Sequence, residues 1–192
     1  MRKYFILWQD MKIADQWVLG ESQAVDGETI DGWHFIMGVP YHGSPPVRVR
    51  ILQAGKEMPI SFGGLNAPHF RFDLATVVEN IVGDGIQRFP IEIPGSRSTY
   101  EIVNFIKLVD AIDNSSDIED FTDEEKRENP KLVLRYKYVR QLVLNGARIP
   151  QDVSAFRLLK SSQKLIVDDR MKTAIEAICP QHGATFTPVK VV

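Results

Sequence analysis

Short apolar runs with the alternation of β-strands recur along this chain and outnumber the runs with helical spacing. Residues 3–8, 47–52, 86–93 and 98–112 have strand-like composition and pattern. Residues 72–82 and 171–178 instead repeat their apolar positions every three to four residues, which predicts two short amphipathic helices. The pattern therefore predicts an α+β fold, with a largely antiparallel or mixed sheet and two short helices packed on it.

Residues 10–46, in the N-terminal part of the chain, show neither the alternation of a strand nor the spacing of a helix. Several glycines and the pair Pro45-Pro46 interrupt this stretch, which predicts an irregular segment. A length of 192 residues suits one domain. We therefore expect a single domain over 1–192, with a less regular portion over residues 1–70 and a core over residues 71–192.

Opposite charges lie next to each other in the second half of the chain. Residues 113–130, DNSSDIEDFTDEEKRENP, are mostly acidic and predict a long loop or a frayed surface helix. Residues 131–144, KLVLRYKYVRQLVL, alternate apolar with mainly basic side chains, which predicts one long antiparallel strand with a wet basic face. Because the basic strand follows the acidic stretch directly, we expect the two to offset each other locally.

The stretch KLIVDDRMKTAIEAI, residues 164–178, places two acids and a base at the end of a predicted strand. Such a group could be catalytic, but it could equally begin a helix. Asp168 is a good N-cap residue, and Asp169 favours the positive end of a helix dipole. Capping explains both aspartates without chemistry, so we interpret them as a helix start.

A faint internal repeat relates the two predicted helices. FRFDLATVVENIVGDGIQRFPIEI and FRLLKSSQKLIVDDRMKTAIEAICPQHGATFTPVKV share the order Phe-Arg, short helix, glycine-bearing turn and strand around a proline (Pro90 and Pro188). Two short units are weak evidence of duplication. They indicate that one strand–helix–strand unit is used twice to cover one sheet.

Composition and charge narrow the class of protein. A net charge of −2 and a pI near 6.1 do not demand a nucleic-acid partner. A single cysteine, Cys179, excludes a disulfide framework within the chain and favours a reducing compartment. No apolar run is long enough for a membrane span, and the N-terminal run is too short for a signal peptide. We expect a soluble cytoplasmic protein with neither a nucleic-acid nor a membrane partner.

Side chains that could carry chemistry are scattered. His34 and His42 with Asp31 have no spacing that fixes a metal site, and the acidic stretch places Ile118 where a calcium loop needs glycine. No phosphate-binding or nucleophile-elbow motif occurs. The sequence thus predicts no catalytic residue, no cofactor and no metal. An alternative stays open: a small-molecule-binding or enzymatic domain that uses the loop residues Trp33, His34, Tyr41 and His42.

The C-terminal part resembles a known family. AFRLLKSSQKLIVDDRMKTAIEAICPQHGATFTPV, residues 155–189, contains Phe-Arg, a strand-to-helix step, a helix, a glycine and Phe-x-Pro-Val in the family's order. Upstream, RFPIEI, YEIVNF and VDAID also fit, so the resemblance covers roughly residues 75–192. The pattern is similar to a bacterial polymorphic-toxin immunity protein family of the myxobacterial type, formerly a domain of unknown function. Asp168 stands where the family usually has serine, and Cys179-Pro180 departs from the family's turn.

This resemblance implies a non-enzymatic protein whose partner is a cognate toxin, which it neutralises by stoichiometric occlusion. The family supplies no catalytic residues. Because many toxins that act on nucleic acid are basic, we expect the contact to lie in the acidic stretch, at Asp117, Glu119, Asp120, Asp123, Glu124 and Glu125. A homodimer is left open, as is a third class, an accessory structural domain of a larger assembly.

Overall fold

The computed structural model describes residues 2–64 and 66–192. Within these ranges the helices are α1 (Phe72–Val82), α2 (Asp123–Glu128) and α3 (Asp169–Ile178). The strands of the same ranges are β1 (Tyr4–Gln9), β2 (Val18–Gln23), β3 (Thr29–Ile30), β4 (Arg48–Gln53), β5 (Ile60–Gly63), β6 (Ala67–Arg71), β7 (Ile86–Ile91), β8 (Tyr100–Phe105), β9 (Leu108–Val109), β10 (Asp117–Glu119), β11 (Tyr138–Gln141), β12 (Val143–Leu144), β13 (Ala155–Leu158), β14 (Ser161–Asp168) and β15 (Ala184–Val191). The α+β prediction is confirmed, and α1 and α3 are the two predicted helices.

Two sheets form the frame of the molecule. Six strands make the larger one, in the order β12-β15-β1-β14-β13-β9, and four make the second, in the order β5-β6-β8-β7. Their ladders are antiparallel except where β12 joins β15 and where β9 joins β13. The chain passes from the second sheet to the first between β8 and β9, so these few residues connect the two.

The strand–helix–strand unit occurs twice. In the four-stranded sheet, α1 connects β6 to β7, and β8 lies between them, antiparallel to both. In the six-stranded sheet, α3 connects β14 to β15, and β1 lies between them in the same way. The units therefore belong to two sheets and not to the single sheet that the repeat indicated, because each takes its central strand from a different part of the chain.

The main core lies where both helices meet both sheets. The helices α1 and α3 pack on each other, and Leu74, Ala75 and Val78 of α1 and Met171 and Ile175 of α3 are buried between them and the sheets. Apolar residues of β1, β5, β6, β8, β13 and β14 complete this core. Burial of this apolar surface, at about 25 cal/mol per Å², is the main favourable term in joining the two sheets. The largest contributors include Phe70, Leu74, Phe105, Leu165, Met171 and Ile175.

A second core covers part of the opposite face of the six-stranded sheet. Ile166 points to this face, whereas its neighbours Leu165 and Val167 point to the main core, as strand alternation requires. Residues from the segment 109–149 pack on Ile166 and Phe156. This segment covers only one end of the face, and the remaining part of the sheet stays open.

Asp168 confirms the capping interpretation of the acid-acid-base stretch. Its carboxylate is fully buried and accepts a bond from the backbone N–H of Met171 at 3.0 Å, the geometry of an N-cap. The same carboxylate accepts a bond from Arg170 Nε at 2.9 Å, and Arg2 Nε lies 3.6 Å away. The group therefore begins α3 and ties the N-terminal segment to it.

One local prediction holds only in part, and another was wrong. Residues 10–46, expected to be irregular, contain β2, β3 and a 3-10 turn at Gly32–Phe35 that Asp31 caps. Residues 131–144 do not form one long strand. A 3-10 helix occupies Pro130–Leu134, where Pro130 follows the capping residue Asn129, and β11 and β12 are separate short strands. The turn chemistry of Asn129-Pro130 outweighs the alternating pattern.

Burial of His69 makes the stability of this fold depend on pH. His69 is 1% exposed in the centre of the four-stranded sheet, and its Nδ1 accepts a bond from the backbone N–H of Gly63 at 3.2 Å. Burial lowers the pKa of His69 to about 4 from its usual 6.5. Between these values the unfolded chain binds the proton and the folded chain does not, so acid favours unfolding.

We predict that the free energy of unfolding falls as the pH is lowered from about 6.5 to about 4, by at most about 3 kcal/mol from this residue. His69→Asn keeps an acceptor for Gly63 but does not titrate, so its stability should change less over this range. Urea denaturation of both proteins at several pH values measures the difference. Burial also lowers the pKa of His182, which is present in both proteins and cancels in the comparison. Parallel pH profiles would show that His69 does not cause the dependence.

Candidate partner-binding groove

A groove of about 1310 Å³ occupies the open part of the six-stranded sheet. Its floor includes Ile6 and Trp8 of β1, the first half of β14, and Thr185 and Thr187 of β15. One wall is the segment 129–140 together with Leu159 and Lys160, and the other is formed by Trp33, Met37, Val39 and Leu108. The groove is thus built by six stretches of the chain, which lie within residues 6–8, 33–39, 108, 129–140, 159–164 and 185–187.

The charged side chains of the groove are all basic. Its lining contains no Asp or Glu and includes Lys131, Arg135, Lys137, Arg140, Lys160 and Lys164. These are six of the 23 basic residues, whereas the chain as a whole has more acidic than basic residues. Desolvation lowers the pKa of Lys164, which is half-buried at the floor. The groove therefore has a local positive charge that the net charge of the chain does not reveal.

Apolar side chains alternate with these cations. Of the large apolar residues that the described chain leaves exposed, six line the groove: Met37, Val39, Leu108, Leu134, Tyr138 and Leu159. Leu134 is the most open of them, at 72% exposure. A cluster of this kind in a concave, polar-rimmed surface is typical of an interaction site.

The buried guanidinium of Arg157 joins one wall of the groove to its floor. Arg157 is 1% exposed; its Nη1 donates to the carbonyls of Ser162 and Gln163 at 3.1 and 3.2 Å, and its Nη2 donates to the carbonyl of Phe35 at 3.2 Å. No described carboxylate pairs with it, and burial lowers its pKa to about 9. The guanidinium stays protonated at neutral pH, so within the described chain these three carbonyls offset the cost of burying its charge and hold the Phe35 turn against β14, whereas its Nε has no hydrogen-bond partner.

Gly38 shows how closely the chain passes over Arg157. Its φ of 74° lies in the left-handed region. A Cβ at this position would lie 2.6 Å from Leu108 Cδ2 and 3.1 Å from Arg157 Cβ. Glycine therefore lets the Met37–Val39 wall lie directly on the sheet.

The acidic residues predicted as a contact do not line the groove but lie behind its wall. Asp117 is 3.8 Å from Arg140, which also pairs with Glu119, so β10 and β11 are joined by charge. In these ion pairs, charges of the acidic stretch and of the basic stretch neutralise each other, as expected from the sequence.

Two more of these carboxylates are paired within their own segment. Asp120 pairs with Lys126 at 2.8 Å, and this bond lowers the pKa of Asp120. Glu125 accepts a bond from the backbone N–H of Thr122 as part of a capping box and pairs with Lys137 at 2.9 Å; both contacts lower its pKa. Among the described residues, only Asp123 and Glu124 of the six have no ion pair.

The four residues of the alternative ligand loop do not form one site. His34, Tyr41 and His42 line a smaller pocket of about 350 Å³, whereas Trp33 lines the groove. The small pocket is built by residues of a single loop, His34 to Gly43. Tyr41 packs on Phe35 and Phe89, and its backbone N–H donates to Gln87 at 2.7 Å, so it anchors the loop to the core.

Two further properties concern the described residues. Across 2–64 and 66–192, no three His, Cys, Asp or Glu side chains come together as a group that could hold a metal ion. In the same part of the chain, no helix has the length and apolar content needed to cross a membrane.

Sequence reasoning found one wall of the groove but missed its floor. The basic side of residues 131–140 was predicted to be wet, and Lys131, Arg135 and Lys137 do line the groove. Lys160 and Lys164 were missed. Their signal was the polar run KSSQK before the apolar LIV, which marks an exposed beginning of a strand.

The comparison with protein families supports the resemblance seen in the sequence. The model of the immunity protein family Imm11 matches residues 94–191, which are 98 of the 192 residues. The match begins later than residue 75, where the sequence resemblance was placed, and it contains Arg157 and every basic residue of the groove. A search of curated proteins finds no match to the chain.

We predict that Arg157→Met lowers the free energy of unfolding by about 2 kcal/mol, because the buried carbonyl of Phe35 and the partly buried carbonyls of Ser162 and Gln163 lose their donor. Arg157→Lys should lose nearly as much, since one ammonium cannot reach carbonyls on both sides. Urea denaturation measures both effects. Arg127→Met, on the exposed surface of α2, is the control and should change stability by less than about 0.5 kcal/mol. Equal stability of the Arg157 and Arg127 variants would contradict the role given to Arg157.

Proposed function

This chain belongs to the immunity protein family Imm11, and we propose that it binds and neutralises a cognate bacterial toxin by stoichiometric occlusion. The family match carries this proposal, because it covers all the strands and helices from β8 to β15. The proposed action is binding, not catalysis, and the proposed location is the cytoplasm, where a toxin made by the same or a sibling cell would meet it.

Occlusion requires a surface complementary to the toxin in shape and charge. Residues 117–140 contribute both the basic wall of the groove and the acidic helix α2, whose residues do not line the groove, so one segment carries surfaces of opposite charge. Neighbouring surfaces of opposite sign set the orientation of a partner and raise the rate of its capture. We propose that this segment faces the toxin.

Of the six acidic residues predicted to contact the toxin, Asp123 and Glu124 are the two that remain available to a partner. Both are exposed in the first turn of α2, and neither forms an ion pair within the described chain. Asp117, Glu119, Asp120 and Glu125 are already compensated, so a partner gains less from them. We propose that the acidic contribution to toxin binding comes mainly from Asp123 and Glu124.

The proposal is tested with the product of the neighbouring gene that is lethal when expressed alone. Co-expression of this chain should restore growth, and the two proteins should co-purify in a stoichiometric complex. Failure to restore growth and to form a complex would refute toxin neutralisation. Light scattering of the chain alone tests the structural alternative, which requires obligate self-association.

The charge-reversed variant Asp123→Lys with Glu124→Lys should bind that toxin about tenfold more weakly at low salt, because attraction becomes repulsion. The difference should shrink at high salt, where exposed charges are screened. Calorimetric titration measures both affinities. Asp26→Lys with Asp152→Lys changes the net charge equally at exposed positions outside α2 and should bind as the unmodified protein does. An equal loss in both variants would mean that only the net charge matters.

A further inference from the structure

We infer that the groove binds an extended acidic segment of the toxin that carries apolar side chains between its carboxylates. This inference rests on the proposed function for the identity of the partner. The inference goes beyond the proposed function because it assigns the interface to the groove and states the chemistry of the toxin segment bound there. Charge, apolar exposure and the strand pairing at the floor support it independently.

The charge of the groove selects an anion. Four of its six basic residues, Lys131, Arg135, Lys160 and Lys164, form no ion pair with any described residue, whereas Lys137 and Arg140 are held by carboxylates behind the wall. Like charges placed together without counter-ions repel one another, and an anionic partner relieves this repulsion. Arg135 and Lys160 lie over the rings of Phe121 and Tyr136, but none of the four cations is paired with a described carboxylate, so an acidic segment can form ion pairs with all four.

The apolar part of the groove argues for a peptide and against a polynucleotide. Exposed Met37, Leu134 and Tyr138 stand between the cations, so a partner must bring apolar side chains to cover them. Interfaces with nucleic acid are more polar and more strongly basic than this, and the chain carries a net charge of −2. A peptide in which acidic and apolar side chains alternate satisfies both parts of the lining.

Strand pairing at the floor favours an extended conformation. The ladder between β1 and β14 ends at the pair Leu7 and Leu165, although β14 begins four residues earlier, at Ser161. Beyond that pair β1 continues alongside β15 only. The first residues of β14 thus line the groove without a ladder partner on the β1 side, and an extended segment can add to such an edge through its backbone.

Arg157 makes this edge rigid before the partner arrives. It holds the carbonyls of Ser162 and Gln163 from the side of β13, so the free stretch of β14 is fixed against the Phe35 turn. A preformed edge loses less conformational entropy when a segment binds to it. The buried arginine therefore contributes to binding through position and not through contact.

The first experiment measures peptide binding without the toxin. The probe is a short fluorescein-labelled peptide in which glutamate alternates with leucine and threonine, and anisotropy reports its affinity. Lys131→Glu with Lys160→Glu should weaken binding at least about tenfold, and so should Leu134→Asp. Both sites are exposed, and circular dichroism checks that each variant is folded. The control, Arg50→Glu with Arg97→Glu, changes the net charge equally at exposed positions outside the groove and should bind the peptide normally.

The outcomes separate the inference from its rivals. Absence of peptide binding, equal losses in groove and control variants, or tighter binding of an oligothymidylate of similar length would each overturn it. A peptide with glutamine in place of glutamate should bind weakly, which tests the need for charge.

The second experiment uses the toxin of the proposed function. More of the groove variant than of the control should be needed to restore growth, by about tenfold. If the unmodified chain binds the peptide but does not protect cells, the proposed function fails and the groove remains a site for acidic segments. If the chain protects cells and the folded groove variant protects them equally well, the groove is not the interface and the inference fails.

Discussion

The guanidinium of Arg157 is buried without a carboxylate, and much of the molecule is arranged around that fact. A buried charge is costly unless hydrogen bonds compensate it, and the carbonyls of Phe35, Ser162 and Gln163 converge on its two Nη atoms, although its Nε has no partner in the described chain. One of these carbonyls belongs to the N-terminal third of the chain and two belong to β14. The arginine thus fixes the N-terminal segment, which forms one wall of the groove, on the six-stranded sheet.

The same dependence on distant parts of the chain recurs in the sheets. Each strand–helix–strand unit is completed by a central strand from elsewhere: β8 in one unit and β1 in the other. The family match begins at residue 94, yet β1 and α1, which precede it, supply Leu7, Leu74 and Val78 to the main core. The matched residues therefore do not contain a complete core, and the N-terminal part is a structural necessity for the fold around the groove.

Some charged side chains around residues 117–140 are neutralised by ion pairs within the chain, and others are not. Within residues 117–140, carboxylates of β10 and α2 pair with Arg140 and Lys137 behind the groove wall. The other cations of the groove, Lys131, Arg135, Lys160 and Lys164, form no ion pair in the described chain. A protein that is nearly neutral overall can in this way present an acidic helix and a basic groove next to each other, and either surface can guide a charged partner.

The sequence by itself determined the helices, the capping role of Asp168, the fold class and the family, because these depend on residues near one another along the chain. The alternating pattern also predicted that the basic side chains of Lys131 and Arg135 face solvent. Only the tertiary structure decided which cations pair with the acidic stretch, and that Trp33 lines a different pocket from His34 and His42. The groove belongs to this second class, since its floor, walls and buried arginine come from segments separated by more than a hundred residues, and no local pattern encodes their meeting.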